Sequence, residues 1–280
     1  MAKAASLVRG EALRVVLWLA LAVVLLPIFW MVITSIKPAG IAQSIPPRWV
    51  FTPTLQNYAD VLSGNTYTSQ PFFSMVGNSV VVSIFSTLLT VLLATPAAYA
   101  LARIRFKGRN FIALWILSTI MFPPAVSVIP IFILAGKLQL TDTYPVLIIP
   151  YTAFNLPIVI WMLRGFIQQI PIDIEEAAKA DGASLATTLR RIVFPLLAPG
   201  IAASAILAAM LSWNEFLFAV TLTRSAAKTA PVGVNEFTSM YGTQWGDITA
   251  AAVVIAGPML VCVLILRRRI IQGLTFGAVK

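Results

Sequence analysis

The chain has 280 residues, 59% of them hydrophobic and 11% charged, with a mean hydropathy of +0.89. Soluble domains carry about 25% charged residues, so too little charge is present to solvate a 30.3 kDa exterior and a water-soluble globule is excluded. With no His, a single Cys262 and a net charge of +10, ordinary zinc sites, histidine triads and disulfide frameworks are ruled out, and either a bilayer or nucleic acid must explain the basic excess.

A helix needs about 20 apolar residues to cross a core about 30 Å thick. Taken in chain order, uncharged runs occupy 15–36, 61–102, 110–136, 143–163, 192–214 and 248–266. In the second run Ser63 to Pro71 is polar, so the helix is expected to start near Phe72 and end near Ala102. The fifth extends to about 222 if Glu215 is tolerated inside it. These runs are too long for barrel strands of about 10 residues, and the fold expected is an all-α integral membrane protein of six transmembrane helices. The first run has a basic flank like that of a signal peptide, but it is longer than the usual apolar core and no A-x-A site follows, so it reads as a retained helix. Proline-rich residues 37–71 and residues 223–247 form long external loops. Pro27, Pro96, Pro123, Pro124, Pro130, Pro150, Pro157 and Pro258 fall within the spans, where neighbours can satisfy the carbonyls they leave open. Ala94, Ala98 and Ala102, and Ala205 and Ala209, are spaced for close helix approach.

Lys and Arg collect in cytoplasmic loops. With the N-terminus inside, the cytoplasmic flanks hold Lys3, Arg9, Arg14, Arg103, Arg105, Lys107, Arg109, Arg164, Lys179, Arg190, Arg191, Arg267, Arg268, Arg269 and Lys280. The outer loops hold Lys37, Arg48, Lys137, Arg224 and Lys228. Both termini are therefore expected in the cytoplasm, and topology accounts for the charge without nucleic acid. Three parts follow: 1–70, the first helix and first external loop; 71–266, a five-helix core with a cytoplasmic loop at 164–199; and 267–280, a cytoplasmic tail.

The loop at 164–199 stands apart, holding Asp173, Glu175, Glu176 and Asp181 of the chain's ten acids. Asp173 is expected to cap a helix over 174–181 that stops at Gly182, where a left-handed C-cap is available. Ser184 is then expected to cap a second helix, with Leu185, Leu189 and Ile192 along one face, which Pro195 and Pro199 end before the fifth span. The plain alternative is a solvated amphipathic loop.

Glu176-Ala177-Ala178, Gly182, Ile192 and Pro195 stand at E-A-A-x3-G-x9-I-x-L-P spacing, with Phe194 where Leu is usual. This resembles the EAA motif of binding-protein-dependent ABC importer permeases. The tail Gly273-Leu274-Thr275, Gly277 to Lys280 and the stretch Ser212 to Phe216 resemble the carbohydrate importers among them. Over nearly its whole length the chain is similar to the smaller permease subunit of a maltose-type transporter. The resemblance implies a type I importer permease fold in a bacterial inner membrane. It also implies three partners: a larger homologous permease, a dimeric cytoplasmic ATPase and an extracytoplasmic solute-binding protein. The short helix with Glu175, Glu176, Ala177, Ala178, Asp181 and Gly182, and Ile192 and Pro195 after it, would couple to the ATPase. Gly273, Leu274, Thr275, Gly277 and Lys280 would reach the same partner, unless the tail is simply a frayed terminus. No G-x4-G-K-[ST] occurs, so the chain lacks a phosphate-cradling loop. ATP and Mg are expected on the ATPase, with no catalysis, metal or cofactor on this chain.

Glu215 lies within the fifth run, where a charge costs about 2.5–3.5 kcal/mol on insertion scales. It is a translocation-pathway candidate with Trp213 and Asn214, or it pairs at a subunit contact. Asn78, Ser79 and Asn155 either line the pathway or bond between helices. Phe237, Tyr241 and Trp245 are candidates for contacting the binding protein. The alternative from another class is an ion-gradient-driven secondary transporter, which would expect buried charges in several spans. An intramembrane enzyme lacks the usual catalytic groups.

Overall fold

The computed structural model describes residues 2–63, 70–239 and 242–275. The helices are α1 (Ala2–Ser35), α2 (Ala39–Ala42), α3 (Gln56–Ser63), α4 (Phe72–Arg103), α5 (Arg109–Ser118), α6 (Pro124–Lys137) and α7 (Tyr144–Gln169). They continue as α8 (Ile172–Ala180), α9 (Leu185–Thr188), α10 (Phe194–Trp213), α11 (Leu217–Leu222), α12 (Ala230–Val234) and α13 (Trp245–Thr275). The strands β1 (Thr238–Ser239) and β2 (Gly242–Thr243) form a two-residue antiparallel ladder. Among the described residues, five helices are long and apolar enough to span a bilayer, and the α5–α6 pair brings the number to six.

The third apolar run is not one straight helix. Its two halves meet at 87° between Met121 and Pro124. Pro124 holds Pro123 in an extended conformation (φ −70°, ψ 128°), which no helix can contain, and then serves as the first residue of α6. Three further boundaries differ from expectation. The fifth span stops at Trp213 and resumes as α11, so Glu215 lies in the break. The sixth continues past 266 to Thr275, making the first residues of the expected tail helical. Pro195 and Pro199 do not end the second loop helix: a π-turn over Leu189–Val193 joins α9 to α10. The Phe194 N–H reaches back to the Leu189 carbonyl. This wider turn lets Pro195 enter the helix without its ring striking the turn before it.

Contacts divide the chain into two units, Met1–Phe73 with Val234–Gly257, and Ser74–Gly233 with Pro258–Lys280. In the first, Asn57 ties the end of α1 to α3, its Nδ2 donating to the Ser35 and Lys37 carbonyls at 2.8 Å each. Gly246 rests on the same amide, where an added Cβ would fall 2.7 Å from its oxygen and nitrogen. Phe237 is buried against Phe72, ring centroids 6.0 Å apart. The Leu13–Ser35 part of α1 is apolar, and most of it lies bare. Such a surface is stable only against lipid or another apolar chain.

The second unit has two apolar cores, and α4 and α7 contribute to both. One gathers Ala94, Ala98, Leu163, Ile167, Val193 and Leu197. The other gathers Val82, Leu147, Tyr151, Phe218, Leu222 and Val232. Between them Ser86 Oγ donates to Ser212 Oγ, and Asn155 Nδ2 donates to the same oxygen, both at 2.9 Å. Polar side chains at this depth stabilise helix pairs when each finds a partner. Helices α7 and α10 are in close contact at Gly200, where a Cβ would lie 2.6 Å from Phe166 Cγ. Gly200→Val must push the two helices apart, and overpacking of this kind costs about 1–3 kcal/mol. The expected result is a lower melting temperature for the purified chain, with Gly165→Ala, which meets nothing within 4 Å, as the neutral control.

Candidate functional site

Helix α8 starts two residues before expectation. Pro171, extended at φ −56° and ψ 130°, is its N-cap, and Asp173 lies inside the first turn with Glu175. Proline before the first turn loses no hydrogen bond, and both acids meet the positive end of the helix dipole. The helix is two-sided. Glu175 and Ala178 face inward, Glu175 only 3% exposed, while Ile172, Ile174, Glu176 and Ala177 face out.

A buried carboxylate must be paired and hydrogen-bonded, and Glu175 is both. Arg103 Nε, at the end of α4, donates to Oε1 at 2.7 Å in an ion pair, and Tyr99 Oη donates to Oε2 at 2.7 Å. Arg103 Nη2 donates to the Ile170 carbonyl at 2.5 Å. The rear of α8 is thereby fixed to α4, and its front is left exposed. Beside it lies a cleft of about 350 Å³ lined by Tyr99, Arg103, Glu176, Lys179 and Leu185.

The C-terminal turn of α8 is closed by Gly182 at φ +80°. The Gly182 N–H donates to the Lys179 carbonyl at 3.0 Å and the Ala183 N–H to the Ala178 carbonyl at 2.9 Å, the paired bonds of a Schellman cap. Asp181, the C-cap residue, is exposed. Ser184 caps α9 as expected, accepting from the Thr187 N–H at 3.3 Å. Ile192 lies half-buried in the π-turn and Pro195 exposed on the first turn of α10. The whole segment is a rigid bracket of helix, tight turn and helix.

A cavity of about 720 Å³ lies within the second unit, against the α5–α6 break. Its polar lining includes Asn155, Ser212, Tyr151 and Glu215, among aromatic side chains such as Phe154 and Phe218. Glu215 caps α11, accepting from the Phe218 N–H at 2.9 Å and the Ala219 N–H at 3.3 Å. Its charge therefore sits at the positive end of a helix, which offsets part of its desolvation. Of the pathway candidates, the structure brings Asn155 and Glu215 to this cavity. Trp213 is buried, and Asn214 is exposed with its Nδ2 donating back to the Met210 carbonyl at 2.8 Å.

Asn78 and Ser79 serve elsewhere. Asn78 Nδ2 donates to the Ala226 and Lys228 carbonyls at 3.0 and 2.9 Å and its Oδ1 accepts from Tyr144 Oη at 2.8 Å, while Ser79 Oγ accepts from the Ala230 N–H at 2.9 Å. Together they clamp the connection between α11 and α12 onto α4. Trp245 opens α13 and is 52% exposed, whereas Phe237 is buried. Gly273, Leu274 and Thr275 are the last residues of α13. Tyr241, Gly277 and Lys280 lie outside the described residues.

Sequence reasoning passed over three residues. Tyr99 and Arg103 carry no motif, although an arginine one helical end away from a lone acidic helix is the available signal. Asp142, in the short α6–α7 connection, has φ +61° and accepts from the N–H groups of Arg224, Ser225, Ala226 and Ala227 at 2.9–3.2 Å. Burial alone would raise its pKa, but the four backbone donors outweigh burial and hold the carboxyl down at about 2. Its signal was an acid set between two apolar runs.

Residues 90–275 match the family described as binding-protein-dependent transport system inner membrane component. The chain belongs to that family. It is 40% identical over 262 residues to the trehalose transport system permease protein SugB of Mycobacterium tuberculosis, covering 91% of this chain and 92% of that one. It is 37% identical over 260 residues to the trehalose/maltose transport system permease protein MalG of Thermococcus litoralis, covering 91% of each. To the diacetylchitobiose uptake system permease protein DasC of Streptomyces coelicolor it is 32% identical over 256 residues, again covering 91% of each. Among solved structures, a chain of a bacterial ABC transporter that imports the acidic polysaccharide alginate superposes with a TM-score of 0.74 at 23% identity, covering 93% of this chain and 96% of that one. That likeness shows the fold of an importer permease. Family and apolar helices together place the protein in the inner membrane.

Two outcomes follow from the geometry. Gly182→Ala keeps the left-handed turn only at a cost of about 1–2 kcal/mol, so the purified permease should melt at lower temperature, while Ala183→Gly should not raise it. The Asp142 carboxyl is depressed, so its contribution is complete above the ordinary carboxylate pKa of about 4 and is lost as pH falls toward about 2. The protection factors of the 224–227 amides, taken against the unstructured exchange rate at each pH, should fall across that interval in the natural protein and should already be low at neutral pH in Asp142→Ala.

Proposed function

We propose that the chain is the permease subunit of an ATP-driven, solute-binding-protein-dependent carbohydrate importer, supplying half of the translocation pathway. The trehalose, maltose and diacetylchitobiose systems of its relatives support a sugar as cargo. In this reading α8 lies on the cytoplasmic side, where the Lys and Arg residues gather, and both termini share that side. The observation that carries it is the division of labour on α8: Glu175 is spent on holding the helix, and Glu176, Ala177, Ile172 and Ile174 remain outward for a groove on an ATPase. Glu176 would meet basic groups there, and Ala177 permits close approach. ATP and Mg belong on that partner, in keeping with the missing P-loop. A closing ATPase pair would move α8 as a rigid body, and with it the spans around the cavity.

A larger homologous permease would cover the bare apolar surfaces and complete the pathway at the Asn155–Glu215 cavity. Trp245 supplies an exposed aromatic for the extracytoplasmic binding protein, while Phe237 is buried against Phe72 and is not available to it. The last turn of α13, from Gly273, extends toward the ATPase. A gradient-driven carrier would need its acids within the spans to exchange protons or ions, and the carboxylate of Glu215 is instead engaged by two backbone N–H groups.

Mild extraction of the tagged chain from its native membrane, with mass spectrometry of stoichiometric companions, is the direct test. An ATPase, a second multi-span permease and a solute-binding protein are expected. Recovery of the chain without an ATPase would sink the importer reading and bring the gradient-driven carrier forward. Glu176→Lys combined with Gly182→Pro should insert in the membrane yet abolish uptake, and normal transport by that variant would end the assignment of α8.

A further inference from the structure

We infer that α4 is the rod through which α8 acts on the cavity, with Tyr99, Arg103 and Glu175 as its positioning residues. The inference rests on the reading of α8 as the ATPase-docking element. Three routes lead away from α8. The chain leads back to α7 through Ile170 and Pro171, both extended, and forward to α10 through the Gly182 turn, α9 and the π-turn. The third route is the tie to α4, made by two hydrogen bonds to one 3%-exposed carboxylate, with Arg103 also holding the Ile170 carbonyl. Charges shielded from water interact strongly and lose much if separated. Displacement of α8 therefore draws the end of α4 with it.

Helix α4 has 32 residues and is about 48 Å long. Its one internal proline, Pro96, lies between Ala94 and Ala98, both fully buried, which keep the two halves seated in the same core. Farther along, Ser86 meets Ser212, the hydroxyl that also holds Asn155 at the cavity wall. Beyond it, Asn78 and Ser79 grip residues 226–230. A single helix thus joins α8 to the cavity and then to the α11–α12 connection, through hydrogen bonds that have fixed partners at each station. Tyr99 and Arg103 touch no substrate in this scheme; they act through α8 and α4.

The test uses the complete transporter, with its second permease, ATPase and binding protein, in proteoliposomes, reading uptake and ATP hydrolysis together. Tyr99→Phe removes one hydrogen bond and keeps the ring; Arg103→Lys keeps the charge and loses the fork. With assembly equal to that of the natural complex, each should lower the substrate moved per ATP hydrolysed by about fivefold or more, the lower end of ordinary coupling energies. Ser86→Ala should lower the same ratio while leaving the tie to α8 intact. An unchanged ratio in these variants, including uptake and hydrolysis falling in proportion, overturns the inference, as does loss of assembly in both Tyr99→Phe and Arg103→Lys, which would make the tie purely structural. Glu176→Lys separates the two levels: if it abolishes uptake while the tie variants keep the natural ratio, only the rod is refuted. If Glu176→Lys also transports normally, the docking reading itself has failed.

Discussion

The arrangement of this protein depends on one buried carboxylate. Glu175 is withdrawn from water on a short helix that would otherwise lie loose at the base of the spans, and Arg103 and Tyr99 compensate it from another helix. An ion pair of this kind adds little net stability over a well-packed apolar pair, because both partners lose their hydration. Removing one partner is a different matter, since the survivor is left charged and unpaired at a cost of about 3–5 kcal/mol. The pair therefore acts as a specificity device: only one placement of α8 on α4 satisfies it. It also frees the next residue, Glu176, to face outward.

The other constraint is the bilayer. Irregular backbone is tolerated at membrane depth only where it is buried in protein or lines a water-filled space. The chain breaks its helices between Met121 and Pro124 and between Trp213 and Leu217, and residues from both breaks line the same cavity. The α11 break is stabilised by Glu215, so the one charge in that span serves the irregular backbone that exposes it. Away from these breaks, the internal prolines at 27, 130, 150 and 157 leave their helices continuous. Within these spans proline breaks the helix where Pro123 and Pro124 stand together and Pro123 is held extended.

Motif reading separated α8 from an ordinary loop, yet it treated Glu175 and Glu176 as one acidic pair with one role. Adjacent residues on a helix are turned about 100° from each other, so they face different surroundings, and which faces inward depends on what lies behind the helix. Asn78 and Ser79 show the same limit. Polar residues in an apolar run signal some hydrogen-bonded purpose, but periodicity does not say whether the partner is cargo, another helix or, as here, the backbone of a connection about 150 residues away. Asp142 showed only as an acid between two apolar runs, and its role stayed hidden for a related reason, because its four donors come from a segment remote in the chain.

The sequence by itself determined the class, the approximate spans and the family, because each is written in local signals: runs of apolar residues, the spacing of E-A-A and glycine, and the cap chemistry of Gly182 and Ser184. The prolines within the spans were legible too, but they were read as tolerated inside continuous helices, and the break at Pro123–Pro124 was not foreseen. Only the tertiary structure decided which acid holds and which faces outward, that Asn155 and Glu215 share a cavity while Asn78 does not, and that α4 touches α8 at one end. Those facts depend on which helices become neighbours, and that is settled by the packing of Ala94, Ala98 and Gly200 against distant helices together with the pairing of buried charge; the spacing of small residues marks a face for close approach but names no partner for it.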